Sequence, residues 1–376
     1  MSTHTAPTTY VMTDQDIADF GNELDRIRAE ILGSRGEADA KYIRDVITTQ
    51  RSLEVAGRGA LLFSILPPAW IAGTAMLSVS KILENMEIGH NVMHGQWDWM
   101  RDPEIHSTTW EWDHVSPSTS WKHTHNVLHH TYTNVVGKDR DVGYTLLRMD
   151  DNQRWRLRNL FQPAYNIILA PVFQWGIALY DIEADQLKAG NKTKAKFLTD
   201  VKAFARKAAK QVTKDYIVTP LLAGPSAVPA FFGTMAANVV RNIWSNTIIF
   251  CGHFPDHVAT FTEEEVENET RGGWYVRQLA GSANLEGSPL FHTMTGNLSY
   301  QIEHHLFPDL PSNRYGAIAP QVKALCEKYG LHYESGPLSR QYVSMMRRVV
   351  RLSLPTARQP VATVAQKAAA KPALAA

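Results

Sequence analysis

The chain has 376 residues, 44% apolar and 20% charged, with 38 Lys and Arg against 37 Asp and Glu for a net charge of +1. That length can bury a sizeable core and excludes a small stapled module; a mean hydropathy of −0.25 excludes a chain made almost wholly of membrane spans, and balanced charge argues against a nucleic-acid binder. Two cysteines, Cys251 and Cys326, cannot build a disulfide framework or a four-thiolate zinc site, and fit a reducing compartment.

The first fifteen residues are polar and lack the basic start and apolar core of a cleavable secretory signal, so membrane insertion must use internal segments. A polar segment over 1–45 is expected to precede one domain over 46–345. Four stretches lack Asp, Glu, Lys and Arg: 59–80, 159–180, 216–240 and 242–255. The first three exceed the roughly 20 residues needed to cross a hydrocarbon core. Buried helices of a soluble protein are the plainer alternative, since all three contain Pro, Gly and polar residues.

Between these stretches, 181–215 carries nine Lys/Arg against five acids, which the positive-inside rule places in the cytoplasm. A single crossing by 159–180 would put that loop opposite the histidine-rich region 89–158. Residues 159–180, with Pro163 and Pro171, are therefore expected to dip into or lie along the cytoplasmic leaflet. The remaining stretches read as two hairpins, one turning near Pro67-Pro68 and one between Gly224 and Pro229. The expected fold is an all-α integral membrane protein: four transmembrane helices in two hairpins, plus a cytoplasmic helical cap carrying a histidine-rich dinuclear metal site. Within the fourth helix Arg241 is an ionisable group at depth, which is expensive and usually functional or cavity-facing. Were 216–240 a single span, Arg241 would lie at an interface and the basic loop outside. Residues 346–376 read as a largely disordered tail, ending in Ala, Pro and Lys/Arg without a packing pattern. No internal repeat, phosphate-cradling glycine loop or dinucleotide fingerprint is present.

The chain has 15 histidines, eight of them between His90 and His130. His90-x-x-x-His94 follows the first oily stretch; on a helix, residues four apart share a face, so both imidazoles reach one metal. His125-x-x-x-His129-His130 repeats that pair, and His130 points about 100 degrees round the helix, towards a second metal. Gln301-x-x-His304-His305 offers two more adjacent imidazoles. A lone pair four apart is usually surface decoration or a satisfied core group; three groups beside oily segments on one predicted side are not. Seven imidazoles exceed the needs of one metal and imply two. Imidazole suits iron, zinc, copper and nickel, and spacing does not choose among them. Hydrolytic two-metal sites usually rely on bridging carboxylates, and almost none sits within these groups. An all-nitrogen dinuclear site at a bilayer surface fits better with iron activating dioxygen against an apolar substrate.

The motifs HNVMH (90–94), HNVLHH (125–130) and QIEHHLFP (301–308) make the chain resemble the membrane fatty acid desaturase superfamily over roughly 51–315. Among its members it is most similar to actinobacterial acyl-CoA or acyl-lipid desaturases. The resemblance implies a multi-pass protein of the plasma membrane with its active site on the cytoplasmic side. It also implies a non-haem centre of two iron ions, dioxygen as cosubstrate, and a cis double bond introduced into a saturated long-chain acyl substrate, with acyl-CoA and position 9 favoured. The implied ligands are His90, His94, His125, His129, His130, His304 and His305. His253, at the cytoplasmic end of the fourth crossing, would complete the set, with His257 as its competitor. Gln301 stands where many relatives have His, so it is an amide ligand, the holder of a water, or no ligand. No haem domain is fused, so a separate ferredoxin or NADPH-dependent oxidoreductase would supply electrons.

Other polar residues have two readings each. His292 is a replacement ligand or a supporting group, and Asn297 could hold a bound water. Asp139 and Asp141 either orient ligand imidazoles or form a solvated turn. His106 and His114 read as packing, His123 as exposed, and Trp97, Trp99, Trp110 and Trp112 as an interfacial belt. No catalytic side chain is expected beyond the metal centre. The alternatives in function are a di-iron hydroxylase and a non-catalytic metal-handling membrane protein.

Overall fold

The computed structural model describes residues 11–358 and 362–369. The expected ends, 1–10 and 370–376, lie outside the described residues.

Two long antiparallel hairpins form the body. Helices α1 (Asp14–Gly33) and α2 (Glu37–Leu61) are followed by a short turn and by α3 (Pro67–Leu83), whose first turn accepts Pro67 and Pro68 because its leading N–H groups are unpaired in any helix. The rod continues through a π-helical turn, Glu84–His90, and Asn91–Met93. A second rod, α4, joins Ser118–Trp121, the π-helical Lys122–His129 and His130–Tyr132. The run α5, Leu157–Ala189, is interrupted by tight turns at Leu157–Phe161 and Ala170–Val172, the latter holding Pro171. The other hairpin pairs α6, which runs Lys194–Val212, Thr213–Val218 and Thr219–Leu222, with α7 (Ala227–His253). Both hairpins turn where the sequence places them.

Glycine sets how closely the first hairpin closes. A Cβ on Gly73 would lie 2.9 Å from the Gly57 carbonyl oxygen, and one on Gly57 2.9 Å from the Leu77 nitrogen. The two tips also meet: the Ile65 N–H donates to Ser226 Oγ (3.1 Å) and Trp70 Nε1 to the Pro229 carbonyl (3.0 Å). Around them Phe63, Ile65, Leu66, Leu221, Leu222 and Val228 stand exposed.

Charge ties the hairpins together further down. Lys81 Nζ lies 3.0 Å from Asp113 and 2.9 Å from Asp215, whose other oxygen takes Arg58 at 2.9 Å. Arg241 is 1% exposed and donates to the Asp113 carbonyl, Asn238 and Asn242. It faces a polar junction inside the body rather than a single-span interface. By length and apolarity alone, one helical run among the described residues suffices to cross a membrane, and it is α5, the segment expected to lie along a leaflet; the hairpin helices do not meet that criterion.

The cap holds the largest core. α1 packs on α8 (Arg271–Ala280), α10 (Gln301–Leu306) and α11 (Tyr315–Lys328), burying Phe20, Leu24, Tyr275, Leu279, Ile302 and Phe307. The small helix α9 (Pro289–Met294) lies between α8 and α10 in sequence. A short parallel pair, β1 (Asn284–Glu286) with β2 (Ser335–Pro337), departs from the all-α expectation. The tail also differs. The boundary expected at 345/346 falls inside α12 (Leu338–Ser353), and α13 (Val364–Ala369) docks Ala365 and Ala368 into the cap core while Lys367 donates to Glu265 at 2.7 Å. Small alanines look like low complexity in sequence yet allow close packing here.

Replacing Gly73 by Val should force α2 and α3 apart at backbone that cannot yield, costing about 1–3 kcal/mol and lowering the melting temperature in detergent. Gly59→Ala, with nothing within 4 Å of its added Cβ, should leave the melting temperature no lower than that of the wild type, because alanine favours the helix.

Candidate metal centre

Eight imidazoles converge where α3, α4, α7 and α10 meet. The first motif begins at the end of one π-helical turn, which holds His90, and the second lies on another, which holds His125 and His129; this widened form recurs at functional sites. His253 ends α7, and His304 and His305 lie in the last turn of α10. The ring nitrogens of His90, His94, His125 and His304 lie within 4.8 Å of one another, as do those of His129, His253 and His305. His130 sits between the groups, its ring stacked on His305 at 4.5 Å and edge-on to His94 at 4.6 Å.

Hydrogen bonding orients these rings from behind. His129 Nδ1 donates to Asp139 Oδ2 (2.9 Å) and His125 Nδ1 faces Asp141 Oδ2 at 3.4 Å. His305 Nδ1 donates to Gln278 Oε1 (3.1 Å), with Thr133 Oγ1 at the same distance, and His304 Nδ1 faces the Tyr315 hydroxyl at 3.3 Å. A hydrogen placed on Nδ1 leaves Nε2 with its lone pair, and those Nε2 atoms face the centre.

The front faces have no such partners. Nε2 of His94, His125 and His129 and both nitrogens of His130 are buried without a hydrogen bond. Nε2 of His90 and of His304 face each other at 3.2 Å, as do those of His305 and His253. Each unmet buried nitrogen costs about 1–3 kcal/mol. Lone pairs that converge on one another make a poor hydrogen-bond network and a good donor set for soft-to-borderline cations, so the residues fit two metal ions.

A sequence model of the family described as fatty acid desaturase matches residues 66–337, a span containing all three histidine motifs. The chain belongs to the fatty acid desaturase family. It is thus an oxidoreductase of lipid metabolism. It is 49% identical to the NADPH-dependent stearoyl-CoA 9-desaturase of Mycobacterium tuberculosis, over 92% of this chain and 82% of that protein. It is 26% identical to human fatty acid desaturase 3, over 76% of this chain and 63% of that one. With the sn-1 linoleoyl-lipid 6-desaturase of Synechocystis it shares 25% identity over 74% and 78% of the two chains.

The desaturase centre gathers every histidine of the three motifs plus His253, and leaves others aside. His257 is exposed and outside both groups. Gln301 Nε2 lies 2.8 Å from His253 Nε2, and its Oε1 has no partner, which seats the amide at the edge of the second group. Asp139 and Asp141 face the imidazoles of His129 and His125 rather than forming a solvated turn. His292 bonds to Ser299 Oγ (2.7 Å), stacks on Tyr300, and joins neither group. Asn297 donates to Glu87 and Tyr42 instead of reaching the centre. His114 packs on Trp112, and His123 is exposed as expected. The tryptophan belt is partly a core: Trp97 is fully buried and Trp112 nearly so. Sequence reasoning missed Thr133, Gln278 and Tyr315, which carry no motif and reach their histidines only through the fold.

Burial holds His94, His125, His130, His304 and His305 well below the ordinary value of 6.5 and His90 at about 3. For His129 burial acts in the same sense, but the Asp139 and Asp141 charges outweigh it and raise the value. A lowered histidine is neutral when folded and takes up a proton on unfolding. Its contribution is therefore present above 6.5 and lost as pH falls from there towards about 3. His129 has the opposite sign, its contribution being lost as pH rises through its raised value. Acids that burial raises, Asp141 to about 6, Glu303 to about 7 and Glu87 to about 8, also act against the six lowered histidines, because each holds a proton when folded that it gives up on unfolding; each group changes stability by up to about 1.4 kcal/mol per pH unit. Metal-free Glu87→Gln, which lacks one opposing acid, should therefore lose more melting temperature than the wild type between about pH 7 and about pH 5; an equal loss would refute this balance. Asp139→Asn should weaken metal binding by about 10–100-fold in competition with a chelator, whereas equal affinity would mean that the bond to His129 orients nothing.

Proposed function

We propose that this chain is an oxygen-dependent acyl-CoA desaturase that introduces a cis double bond at carbon 9 of a stearoyl-type substrate, at two histidine-held iron ions. The observation that carries this reading is the convergence of eight buried or half-buried imidazoles, seven of them in two adjacent groups with His130 between, and five of the eight with a buried nitrogen that has no partner. The substrate and an NADPH-fed electron supply are supported by the mycobacterial relative that bears those words in its name. One iron would be held by His90, His94, His125 and His304, the other by His129, His253 and His305, with His130 between them and Gln301 beside the second. Electrons come from a separate ferredoxin or NADPH-dependent oxidoreductase.

The exposed apolar tips of both hairpins support a membrane arrangement in which α2, α3, α6 and α7 cross the plasma membrane and α5 lies along its cytoplasmic leaflet. The cap and the metal centre then face the cytoplasm, where acyl-CoA is soluble.

Bound iron would supply the dioxygen activation needed to take hydrogen from an unactivated methylene. The chain's own residues hold, orient and exclude. Asp139, Gln278 and Tyr315 fix the rings. A small cavity touches His90 and His125 of one group and His129 and His253 of the other, and Trp121, Ile177, Ile249 and Leu298 give it an apolar wall. That wall keeps bulk water from the centre and offers one methylene at a time to it, an orientation effect.

The decisive experiment is gas chromatography with mass spectrometry of total fatty acids from a host lacking its own desaturase. Wild type should yield a new 9-cis monounsaturated acid, and His129→Ala should yield none while still accumulating in the membrane. An oxygenated acid in place of the alkene would replace this reading by a hydroxylase. Full activity in His129→Ala would refute the ligand assignment.

A further inference from the structure

The centre is dry on one side of a wall and close to water on the other. A surface groove of about 790 Å³ runs over the outer face of α4, past the exposed His123 and the Lys138 and Arg140 side chains. On the inner face of the same helix lies the cavity of about 30 Å³ that touches both histidine groups, space for a water or two. Among the described residues, Asp181 is the one that belongs to both linings.

Asp181 ends the Phe173–Asp181 stretch of α5 and is 4% exposed. Its Oδ1 accepts the Thr124 hydroxyl at 2.7 Å, and its Oδ2 accepts the Ser116 hydroxyl. Thr124 stands on the π-helical turn that carries the second histidine motif, so the carboxyl is fastened to the metal-bearing rod without touching a member of the ligand set. Among the described residues no lysine or arginine pairs with it: Arg140 is turned to Asp185, and Lys192 to Glu183 and Asp200. A carboxylate buried without a cation is costly, and the cost is relieved when the group carries a proton. The other acids near the cavity are committed, Asp139 to His129 and Asp141 to His125 and the Tyr180 hydroxyl.

The reaction needs such a group. Two hydrogens leave the acyl chain with their electrons, breaking two C–H bonds and forming one carbon–carbon π bond. Two further electrons come from the donor protein and two protons from solvent. Together they reduce one dioxygen to two waters, and atoms and charge balance. The solvent protons must cross the wall.

We propose that Asp181 is the proton relay between the solvent groove and the metal cavity, handing a proton inward and recovering one from the groove. This inference rests on the desaturase reading above. Its carboxyl can turn between the two sides about the hydroxyl bonds of Thr124 and Ser116, and each turnover uses it twice.

The test uses the iron-loaded full-length enzyme with its reducing system, comparing wild type, Asp181→Asn and Asp181→Glu. Asp181→Asn should keep its iron but desaturate about 100-fold more slowly, the lower end of what a positioned acid contributes. Its solvent deuterium isotope effect should rise, added formate or acetate should restore part of the rate, and Asp181→Glu should restore more. A second measurement needs no turnover. In iron-free protein, the infrared C=O stretch of a protonated carboxyl, isolated by subtracting Asp181→Asn, should shift promptly on transfer into D2O.

An Asp181→Asn enzyme with the wild-type rate and isotope effect would overturn the relay. So would a loss that neither small acids nor Asp181→Glu relieve, which would make Asp181 only an anchor for Ser116 and Thr124. Should Asp181→Asn fail to fold, Asp181→Glu and isotope-edited aspartate spectra of the wild type decide: no protonated, exchanging carboxyl band would overturn the proposal. A wild type that makes no alkene at all would instead refute the desaturase reading, so the two failures are distinguishable.

Discussion

Every larger feature of this molecule serves one requirement: eight imidazoles must be kept out of water with lone pairs facing inward. Five of the eight keep a buried nitrogen that no group of the protein satisfies. They are tolerable because four separate helices bring them to one place and because groups behind them fix which nitrogen carries the hydrogen. The π-helical turns at Glu84–His90 and Lys122–His129 belong to this requirement, since an ordinary helical turn fixes the angles between successive side chains. The hairpins supply long rods whose ends are placed by packing along their whole length. A centre built from rod ends inherits that rigidity, which loops could not provide.

The rods are held by charge as well as by apolar contact. Lys81, Asp113, Asp215, Arg58 and Lys214 form a connected network across both hairpins and the loop before α4. Burying such charges brings little net stability, but removing one partner strands another, at a typical cost of about 3–5 kcal/mol. The network therefore fixes register more than it adds stability. It also accounts for Arg241, which looks out of place in a helix otherwise rich in apolar residues and is in fact bonded to Asn238, Asn242 and the Asp113 backbone.

What the sequence could reveal follows from distance along the chain. Pairs four residues apart, such as His90 with His94, announce themselves locally, and so do the proline and glycine turns of the hairpins. His253 could be placed by its position at the end of an oily stretch, and Asp139 and Asp141 by proximity to the second motif. Gln278, Thr133 and Tyr315 could not, because each meets its histidine through tertiary folding and none has a pattern of its own. Asp181 was passed over for a related reason: it opens a basic loop in the sequence, and only the fold turns it inward to Thr124 and Ser116. Trp97 and the alanines of α13 were misread because composition describes a residue type, whereas burial depends on what packs over it.

A donor set made of imidazoles would bring no negative charge to offset two positive ions, so compensation would have to come from the layer behind. Asp139 and Asp141 stand there, one hydrogen bond from His129 and His125. Glu87 lies in the π-helical turn that leads into the first motif and Glu303 within the third, bonded to Ser312, Tyr42 and Asn297 and to Asn284 and Tyr333 respectively. Burial raises Asp141 to about 6, Glu303 to about 7 and Glu87 to about 8. Those values describe the protein without cations; a positive charge nearby favours the ionised carboxylate. Protons released on metal binding would therefore come from Glu87, Glu303 and His129, since six of the imidazoles are already neutral at physiological pH. Carboxyls such as Glu87, which hold a proton in the empty site and give it up beside a cation, would let one buried site be stable in both conditions.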